Sequence, residues 1–300
     1  MIETQGVSKV FDGFWALENV SCHIPEGSIY GMVGSNGAGK STFMRILAGV
    51  YRQDRGTVLI DGAPIYNNPA VKRRVAFVPD ELYFPSGANI LRMIQMYKNL
   101  FAFFDKERCL SLCKELNLDP KKPISNFSKG MKRQAATLLA LSIRPDYILF
   151  DETFDGLDPV VRNFVKSLIC KDVLDRGACA VITSHSLREL EDTCDQLALL
   201  HRGGIVVQSE VQGLKTKRFK IQIAFSDSYD KTRFDRIPGI EILHFQKQGS
   251  VSNLIVKADR EQVRAALMDL HPSVLDILPL SLEEVFTYEM ETMGYAFNLS

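Results

Sequence analysis

The fold of this chain is decided by one stretch, Gly34-Ser35-Asn36-Gly37-Ala38-Gly39-Lys40-Ser41, which is followed by Thr42. The stretch fits the phosphate-binding loop pattern Gly-x-x-x-x-Gly-Lys-[Ser/Thr] at every defined position. Glycine has no Cβ atom, so the backbone turns tightly and brings several N–H groups close to phosphate oxygens. Lys40 adds a positive charge for the outer phosphates of a nucleotide, and the Ser41 hydroxyl is a suitable ligand for Mg²⁺.

The segments on both sides of the loop support this interpretation. Ser28–Val33 is predicted to be a buried strand, and residues 42–48 a helix whose N-terminal dipole favours anions. A glycine-rich turn that binds nothing is the weaker alternative, because eight residues are in register between a strand and a helix. We therefore predict a nucleotide site whose contacts come from Ser35, Asn36, Gly37, Ala38, Gly39, Lys40, Ser41 and Thr42, with Lys40 also acting in catalysis.

The composition is that of an ordinary globular protein of 300 residues, long enough for one large domain or two smaller ones. Lys and Arg together number 36, as do Asp and Glu, so no net field draws the whole chain to nucleic acid or acidic lipid. We expect no nucleic-acid partner. The six cysteines lack metal-type spacing, and we expect reduced core residues of a cytosolic protein.

Neither a secretory signal nor a membrane span is expected from the sequence. Glu3, Lys9 and Asp12 interrupt the amino terminus, where a secretory signal needs an apolar run. The most apolar segment, residues 90–104, contains an arginine and a lysine and is too short to cross a bilayer. If the protein works at a membrane, a partner must supply the membrane part.

The order of apolar runs predicts an α/β fold with a phosphate-loop (P-loop) NTPase core. Antiparallel strands are expected at residues 6–11 and 17–24, and a helical subdomain at about 86–141. From residue 147 onward, short apolar strands alternate with helices, which favours a mostly parallel, covered sheet. We place this cassette-sized first domain at residues 1–212.

A second, smaller domain is predicted at residues 213–300. It follows a basic linker at Lys215-Thr216-Lys217-Arg218, and its strands and helices suggest an accessory α+β domain. Ser281 and Glu284 form a capping-box pattern that opens its last helix.

A second motif, Tyr147-Ile148-Leu149-Phe150-Asp151-Glu152, places two carboxylates after a buried strand. Ligands of parallel α/β sheets bind at that edge. Asp151 is expected to hold Mg²⁺ together with Ser41, directly or through water. Glu152, one residue further on, is expected to orient or deprotonate the attacking water. A strand that merely ends in two acids is the alternative, and the complete phosphate loop upstream makes it the weaker one.

Between these motifs lies Phe127-Ser128-Lys129-Gly130-Met131-Lys132-Arg133-Gln134, at the start of an Ala- and Leu-rich helix. Residues 2–212 resemble the nucleotide-binding subunits of ATP-binding cassette (ABC) transporters, and this segment resembles their signature motif, Leu-Ser-Gly-Gly-Gln. Ser128 and Gly130 match that motif, whereas Lys129 and Met131 depart from it. The variant Lys129-Gly130-Met131-Lys132 resembles one seen in an exporter branch of the family. From the residues alone, free N–H groups at this helix start could receive a γ-phosphate, and a bare helix cap is the alternative.

The resemblance implies further site residues. Asp158, in Asp155-Gly156-Leu157-Asp158-Pro159, falls at a subunit-interface position, and His185 resembles a switch histidine that contacts the γ-phosphate. Phe11 falls where the family places an aromatic ring on adenine, with Trp15 as second choice and core packing as the alternative for both. Asp80 stands where the family usually has a glutamine near Mg²⁺, so it is a candidate metal contact through water.

The resemblance implies ATP and Mg²⁺ as cofactors and the ATPase subunit of an exporter at the cytoplasmic face of the cell membrane. One phosphate loop faces the signature motif of another subunit, so a second copy is expected as partner, with a multi-span membrane permease beside them. The C-terminal domain resembles an accessory domain of exporter ATPases. A soluble cassette ATPase acting on ribosomes or nucleic acid is the alternative, and an adaptor for iron–sulfur assembly is a third.

Overall fold

The structure, a computed structural model, describes residues 1–211, 218–234 and 237–292. The chain divides into two compact units, Met1–Gln208 and Ser209–Ser300. The boundary predicted after Gln212 and the linker residues Lys215–Lys217 lie outside the described residues. Arg218, predicted as the last residue of the linker, is instead the first residue of a strand.

An antiparallel sheet forms at the start of the first unit, where polar and apolar residues alternate. Its strands run in the order β2-β1-β4-β5, namely β1 Ile2–Phe11, β2 Phe14–Ile24, β4 Arg55–Ile60 and β5 Ala63–Pro64. The predicted first two strands are therefore correct in place but too short at their starts. β4 and β5 form a hairpin through Asp61 and Gly62, as the Asp-Gly dipeptide predicts.

A second sheet of six strands carries the core of the first unit in the order β10-β9-β3-β8-β7-β6. The strands are β3 Ile29–Val33, β6 Val75–Val78, β7 Tyr147–Phe150, β8 Cys179–Ser184, β9 Gln196–His201 and β10 Gly204–Glu210. β3 pairs parallel with β8 and β9, and β7 pairs parallel with β6 and β8. β3 and β7 are buried at every position, as expected of parallel strands covered on both faces.

In residues 1–211, helices flank these strands, and five of the seven begin at a side-chain cap, the exceptions being the first and the last. They are α1 Lys40–Leu47, α2 Pro69–Lys72, α3 Ile90–Leu100, α4 Lys106–Glu115, α5 Lys129–Ser142, α6 Pro159–Arg176 and α7 Leu187–Leu190. Asn89, Asp105, Ser128 and Asp158 accept backbone N–H bonds at the starts of α3, α4, α5 and α6. The predicted helix-rich segment thus comprises α3, α4, a short 3₁₀ turn at Ile124–Asn126 and α5.

The second unit holds a four-stranded antiparallel sheet with the order β12-β13-β11-β14. Its elements are β11 Arg218–Ala224, β12 Glu241–Gln248, β13 Val251–Lys257, α8 Arg260–Met268, β14 Val274–Pro279 and α9 Leu282–Thr292. Alternate residues of β11 pack with Val263 and Leu267 of α8 in one apolar cluster. The predicted capping box is present, since Glu284 N–H donates to Ser281 Oγ and Ser281 N–H donates to Glu284 Oε2.

Candidate active site

The functional side chains converge because four parallel strands end at the same edge of the sheet. In the register, Val78 lies beside Phe150, Phe150 beside Ile182, and Thr183 beside Met32. The residues that follow these positions therefore reach one place: the phosphate loop after β3, Asp80 after β6, Asp151 and Glu152 after β7, and His185 after β8. The phosphate loop, Asp80, Glu152 and His185 line a cleft of about 380 Å³, whereas Asp151 is fully buried and is not among the lining residues.

The phosphate loop needs glycine at two positions for packing as well as for conformation. A Cβ atom on Gly39, whose φ is 107°, would lie 2.5 Å from the carbonyl oxygen of Ala16. A Cβ atom on Gly34 would lie 2.4 Å from the carbonyl oxygen of Leu200. No side chain caps the start of α1, so its first N–H groups stay available to an anion. Residues 36–42 line the cleft.

The ammonium group of Lys40 is buried in the cleft floor, where only 5% of its side chain is exposed. It donates to the carbonyl oxygens of Gly34 at 2.6 Å and Ser35 at 3.2 Å. Its third neighbour is Glu152 Oε1, at 3.1 Å. Lys40 therefore both closes the loop and carries a positive charge toward the carboxylate of Glu152.

Ser41 and Asp151 form the candidate metal site. Ser41 Oγ lies 3.1 Å from Asp151 Oδ1, and the Thr183 hydroxyl donates to the same oxygen at 2.8 Å. The other oxygen, Asp151 Oδ2, is buried and has no hydrogen-bond partner among the described residues. Burial raises the pKa of Asp151 above its ordinary value, and the hydrogen bonds from Thr183 and Ser41 only partly offset this shift.

These residues fit Mg²⁺. The carboxylate of Asp151 is fully buried, and one of its oxygens has no partner among the described residues. Together with the Ser41 hydroxyl it forms a set of oxygen ligands whose negative charge a cation would neutralise. In the described ranges, no three His, Cys, Asp or Glu side chains gather as a metal site. Mg²⁺ is commonly held by one or two carboxylates together with substrate phosphates, so an all-protein cage is not required.

The buried charge of Asp151 predicts opposite effects on stability and activity. Asp151→Asn should raise the free energy of unfolding of the metal-free protein by about 1 kcal/mol, since an unpartnered amide costs less to bury than an unpartnered carboxylate. That corresponds to a rise in Tm of roughly 2–4 °C. The same variant should lose at least about 100-fold in Mg²⁺-dependent hydrolysis. Thermal melts in EDTA and phosphate release measure the two effects.

The pH dependence of this effect has a defined sign. Because the folded pKa of Asp151 is raised, its destabilising effect is complete above that pKa and disappears as pH falls toward the ordinary value of 3.8. The Tm advantage of Asp151→Asn should therefore shrink between pH 7 and pH 4. Asp172→Asn is the matched control, because Asp172 is buried but receives bonds from Arg108 and Arg176 and should lose stability when neutralised. A lower Tm for Asp151→Asn at pH 7 contradicts the prediction.

Glu152 lies between the two candidate phosphate contacts. Its Oε1 atom is 3.1 Å from Lys40 Nζ, and its Oε2 atom is 3.0 Å from His185 Nδ1. Its backbone φ is +50°, a left-handed conformation that is uncommon for a residue with a long side chain. Lys40, Glu152 and His185 therefore form one continuous polar row along the cleft.

Asp80 also lines the cleft, but its carboxylate is already paired. Asp80 Oδ1 accepts a bond of 2.7 Å from the guanidinium of Arg133, a residue of α5. The contact with Mg²⁺ that was predicted for Asp80 therefore competes with an ion pair. Arg133 was not predicted to be a site residue. The signal for it in the sequence was an arginine in the signature segment together with an acid, Asp80, where the family usually has a glutamine.

The aromatic wall of the cleft comes from a residue that the sequence analysis did not single out. Phe14 and Ala16 line the cleft, and 70% of Phe14 is exposed. Phe11 instead packs edge-on against Tyr51, with ring centroids 5.5 Å apart, and Trp15 lies under the guanidinium of Arg55. Neither Phe11 nor Trp15 is among the residues that line the cleft.

Three further predicted residues, Ser128, Gly130 and Asp158, are not among the residues that line this cleft. Ser128 Oγ accepts from Met131 N–H and caps α5, while Asp158 accepts from two N–H groups and caps α6. A Cβ atom on Gly130 would lie 3.0 Å from the carbonyl oxygen of Gly156, so the turn before α6 packs closely on α5. Within one chain, these residues therefore do not contribute to the lining of the cleft.

Comparison with known proteins identifies the family. Residues 17–155 match the family described as ABC transporter. The ABC transporter ATP-binding protein YtrB of Bacillus subtilis (strain 168) is 31% identical over 287 residues, which cover 95% of this chain and 97% of that protein. The chain belongs to the ABC transporter ATP-binding proteins. Another member, the daunorubicin/doxorubicin resistance ATP-binding protein DrrA of Streptomyces peucetius, is 26% identical over 301 residues, covering 95% of this chain and 91% of DrrA.

Solved structures agree on the fold. A bacterial ABC transporter cassette with a dimeric structure aligns with a TM-score of 0.64 at 21% identity, covering 70% of this chain and 99% of that one. An ATP-binding subunit of an ABC transporter aligns with a TM-score of 0.66 at 24% identity, covering 71% and 91%. The predicted α/β P-loop NTPase fold is confirmed. As an ABC ATP-binding protein, the chain is an ATPase of a transport system. None of the described helices has the length and apolar composition that a bilayer crossing requires.

Proposed function

We propose that this chain is the ATPase subunit of an ABC exporter, which hydrolyses MgATP at a dimer interface to drive a separate membrane permease. The observation that carries the proposal is the polar row of Lys40, Glu152 and His185 beside the Ser41–Asp151 pair. It places a positive charge, a carboxylate base and a metal-type oxygen set at one sheet edge. These are the groups that phosphoryl transfer to water requires.

In the proposed reaction, Glu152 is the general base for the attacking water, and His185 holds the side chain of Glu152 in line. Their 3.0 Å contact supports this role. Lys40 neutralises charge on the outer phosphates, which requires its bond with Glu152 Oε1 to be exchanged for phosphate oxygens. The phosphate-loop residues, from Ser35 to Thr42, supply N–H groups around the phosphates.

The metal chemistry belongs to Ser41 and Asp151. Ser41 and Asp151 would hold Mg²⁺, which would supply positive charge to offset the negative charge of the outer phosphates. Asp151 is positioned for this by Thr183, whose hydroxyl donates to Asp151 Oδ1 and accepts from the N–H of Glu152. Phe14 and Phe11 are the candidates for stacking on adenine, and Phe14 is the one on the cleft wall.

The dimer is proposed because the signature residues do not line the cleft of their own chain. Ser128, Gly130 and Asp158 do not line that cleft, so in the proposed assembly they face the phosphate loop of a second copy. The dimeric structure of a fold relative supports this arrangement. The cytoplasmic face of the membrane follows as the proposed location, because the permease is a separate protein.

Export is proposed on the names of relatives. One relative reported above is named for resistance to daunorubicin and doxorubicin, which supports outward transport. The Ser128–Lys132 variant of the signature motif resembles the same branch. The C-terminal unit is proposed to be an accessory domain of that branch.

A purification experiment tests the proposal. When the tagged chain is isolated from its native cells in mild detergent, we expect most of it in the membrane fraction together with a protein of several spans. Inside-out vesicles that contain the complex should then move cargo inward in the presence of MgATP, which separates export from import. Recovery only with ribosomes or nucleic acid would overturn the exporter proposal and favour a soluble cassette ATPase.

A further inference from the structure

Arg133 is a fully buried charged side chain, with 1% of its surface exposed. It makes two strong hydrogen bonds, both to groups at the catalytic edge of the sheet. One runs from NH1 to the carbonyl oxygen of Glu152 at 2.6 Å, and the other from NH2 to Asp80 Oδ1 at 2.7 Å. A buried guanidinium is costly unless its partners are fixed, so these bonds constrain their acceptors as well as Arg133 itself.

The backbone at Glu152 is held from both sides. Its carbonyl oxygen accepts from Arg133, and its N–H donates to Thr183 Oγ1 at 3.0 Å. The φ of +50° between these two bonds is unfavourable for glutamate, and such conformations persist where the surroundings over-determine them. The two bonds therefore fix the direction in which the Glu152 side chain leaves the backbone.

The second acceptor of Arg133 joins a different loop to the same point. Asp80 follows β6 and lines the cleft, and 46% of its side chain is exposed. A further acid of the cleft, Asp155, lies 4.0 Å from Arg133 and 2.8 Å from Lys129. Two basic residues of the α5 start thus hold two acidic residues of the cleft rim.

We propose that Arg133 is a positioning residue for hydrolysis. It binds the Glu152 carbonyl and the Asp80 carboxylate, and in this way α5 and the loop after β6 together orient the side chain of Glu152. We call this set the Arg133 clamp. The proposal rests on the proposed role of Glu152 as base. It also assigns Asp80 to the clamp rather than to the metal, because its charge is already neutralised by Arg133.

The test is a mutant cycle in ATP hydrolysis with Arg133→Lys, Asp80→Ala and the double variant. Lysine keeps the charge but loses the planar fork, so Arg133→Lys should lower kcat by about 10- to 100-fold, with KM for ATP within about threefold of the parent. Asp80→Ala should lower kcat by a smaller factor and leave the Mg²⁺ concentration for half-maximal rate unchanged. The double variant should be no slower than Arg133→Lys, since both changes break one shared interaction.

Arg108→Lys is the matched control. Arg108 also bonds a buried aspartate, Asp172, at 2.7 Å, and it does not line the cleft. It should cost stability without lowering kcat. A parent-like kcat for Arg133→Lys overturns the proposal, as does a higher Mg²⁺ requirement for Asp80→Ala, which would make Asp80 a metal contact. If Arg133→Lys fails to fold, Asp80→Ala decides the matter, and a parent-like kcat overturns the clamp.

The failure of the clamp and the failure of the proposed base are distinguishable. If Glu152→Gln still hydrolyses ATP at the parent rate, the base assignment is wrong whatever the cycle shows. If Glu152→Gln is inactive and the three clamp variants are all parent-like, the base stands and Arg133 is only a structural residue.

Discussion

Glu152→Gln should lower the rate of ATP hydrolysis by at least about 100-fold while ATP still binds, and we expect a closed dimer to accumulate. Glutamine has the shape of glutamate but cannot accept the proton of the attacking water, and a general base contributes roughly 10²- to 10⁴-fold. The contacts with Lys40 and His185 can persist as hydrogen bonds, so the cleft should keep its geometry. Single-turnover phosphate release gives the rate, and light scattering with MgATP gives the dimer.

Glu189→Gln is the control for this change. Glu189 has the same exposure as Glu152, 13% of the side chain, but pairs with Arg162 at 3.2 Å and does not line the cleft. Glu189 also accepts a hydrogen bond of 2.6 Å from Ser184 Oγ, which glutamine can still accept. The activity of Glu189→Gln should stay within about threefold of the parent, because a weakened ion pair outside the cleft changes stability more than chemistry. A Glu152→Gln variant with near-parent turnover would remove Glu152 from the role of base.

Lys40→Ala should have its main effect on binding of the triphosphate. The lysine charge is buried and directed into the phosphate loop, and removing a buried partner of a charged group costs about 2–4 kcal/mol, or roughly 30- to 1000-fold in Kd. ADP should lose less affinity than ATP, because Lys40 is placed toward the outer phosphates. Titration of both nucleotides, followed by fluorescence or calorimetry, measures the difference.

Lys40 also has a structural role, so the binding result needs a control. Lys72→Ala removes a lysine whose ammonium donates to the carbonyl oxygen of Gly49 at 2.7 Å, outside the cleft. It should lower stability slightly and leave the Kd of ATP unchanged. Equal losses of ATP and ADP affinity in Lys40→Ala would mean that the variant has only loosened the loop through its bonds to Gly34 and Ser35.

The fold was predictable because its signals are local. The phosphate-loop glycines, the fully apolar runs of β3 and β7, and the capping residues Ser128 and Ser281 each define structure over a few neighbouring positions. The edge at which Asp151 and Glu152 emerge follows from the parallel order of the strands. These local signals did not predict the full length of the antiparallel strands β1 and β2. Where these strands begin depends on pairing with other strands.

The parts of the site that could not be predicted from the sequence depend on contacts between residues that are far apart in the chain. Arg133 and Asp80 are 53 positions apart, and Thr183 is 32 positions from Asp151. Phe14 and Phe11 lie on either side of the same turn, and which ring lines the cleft depends on how the strands twist there. The subunit-interface role of Asp158 remains a prediction, since its side chain here caps α6.

The left-handed backbone at Glu152 implies a trade-off between thermal stability and catalytic turnover at this position. A non-glycine residue in such a conformation costs about 1–3 kcal/mol, which glycine would recover. Replacing Glu152 also leaves the buried ammonium of Lys40 without its carboxylate partner, so glycine or asparagine at position 152 should raise the Tm only in so far as the relief of the backbone exceeds that loss. Neither residue can take a proton from water. Screening for turnover should return glutamate alone, because only its carboxylate both suits the role of base and pairs with Lys40.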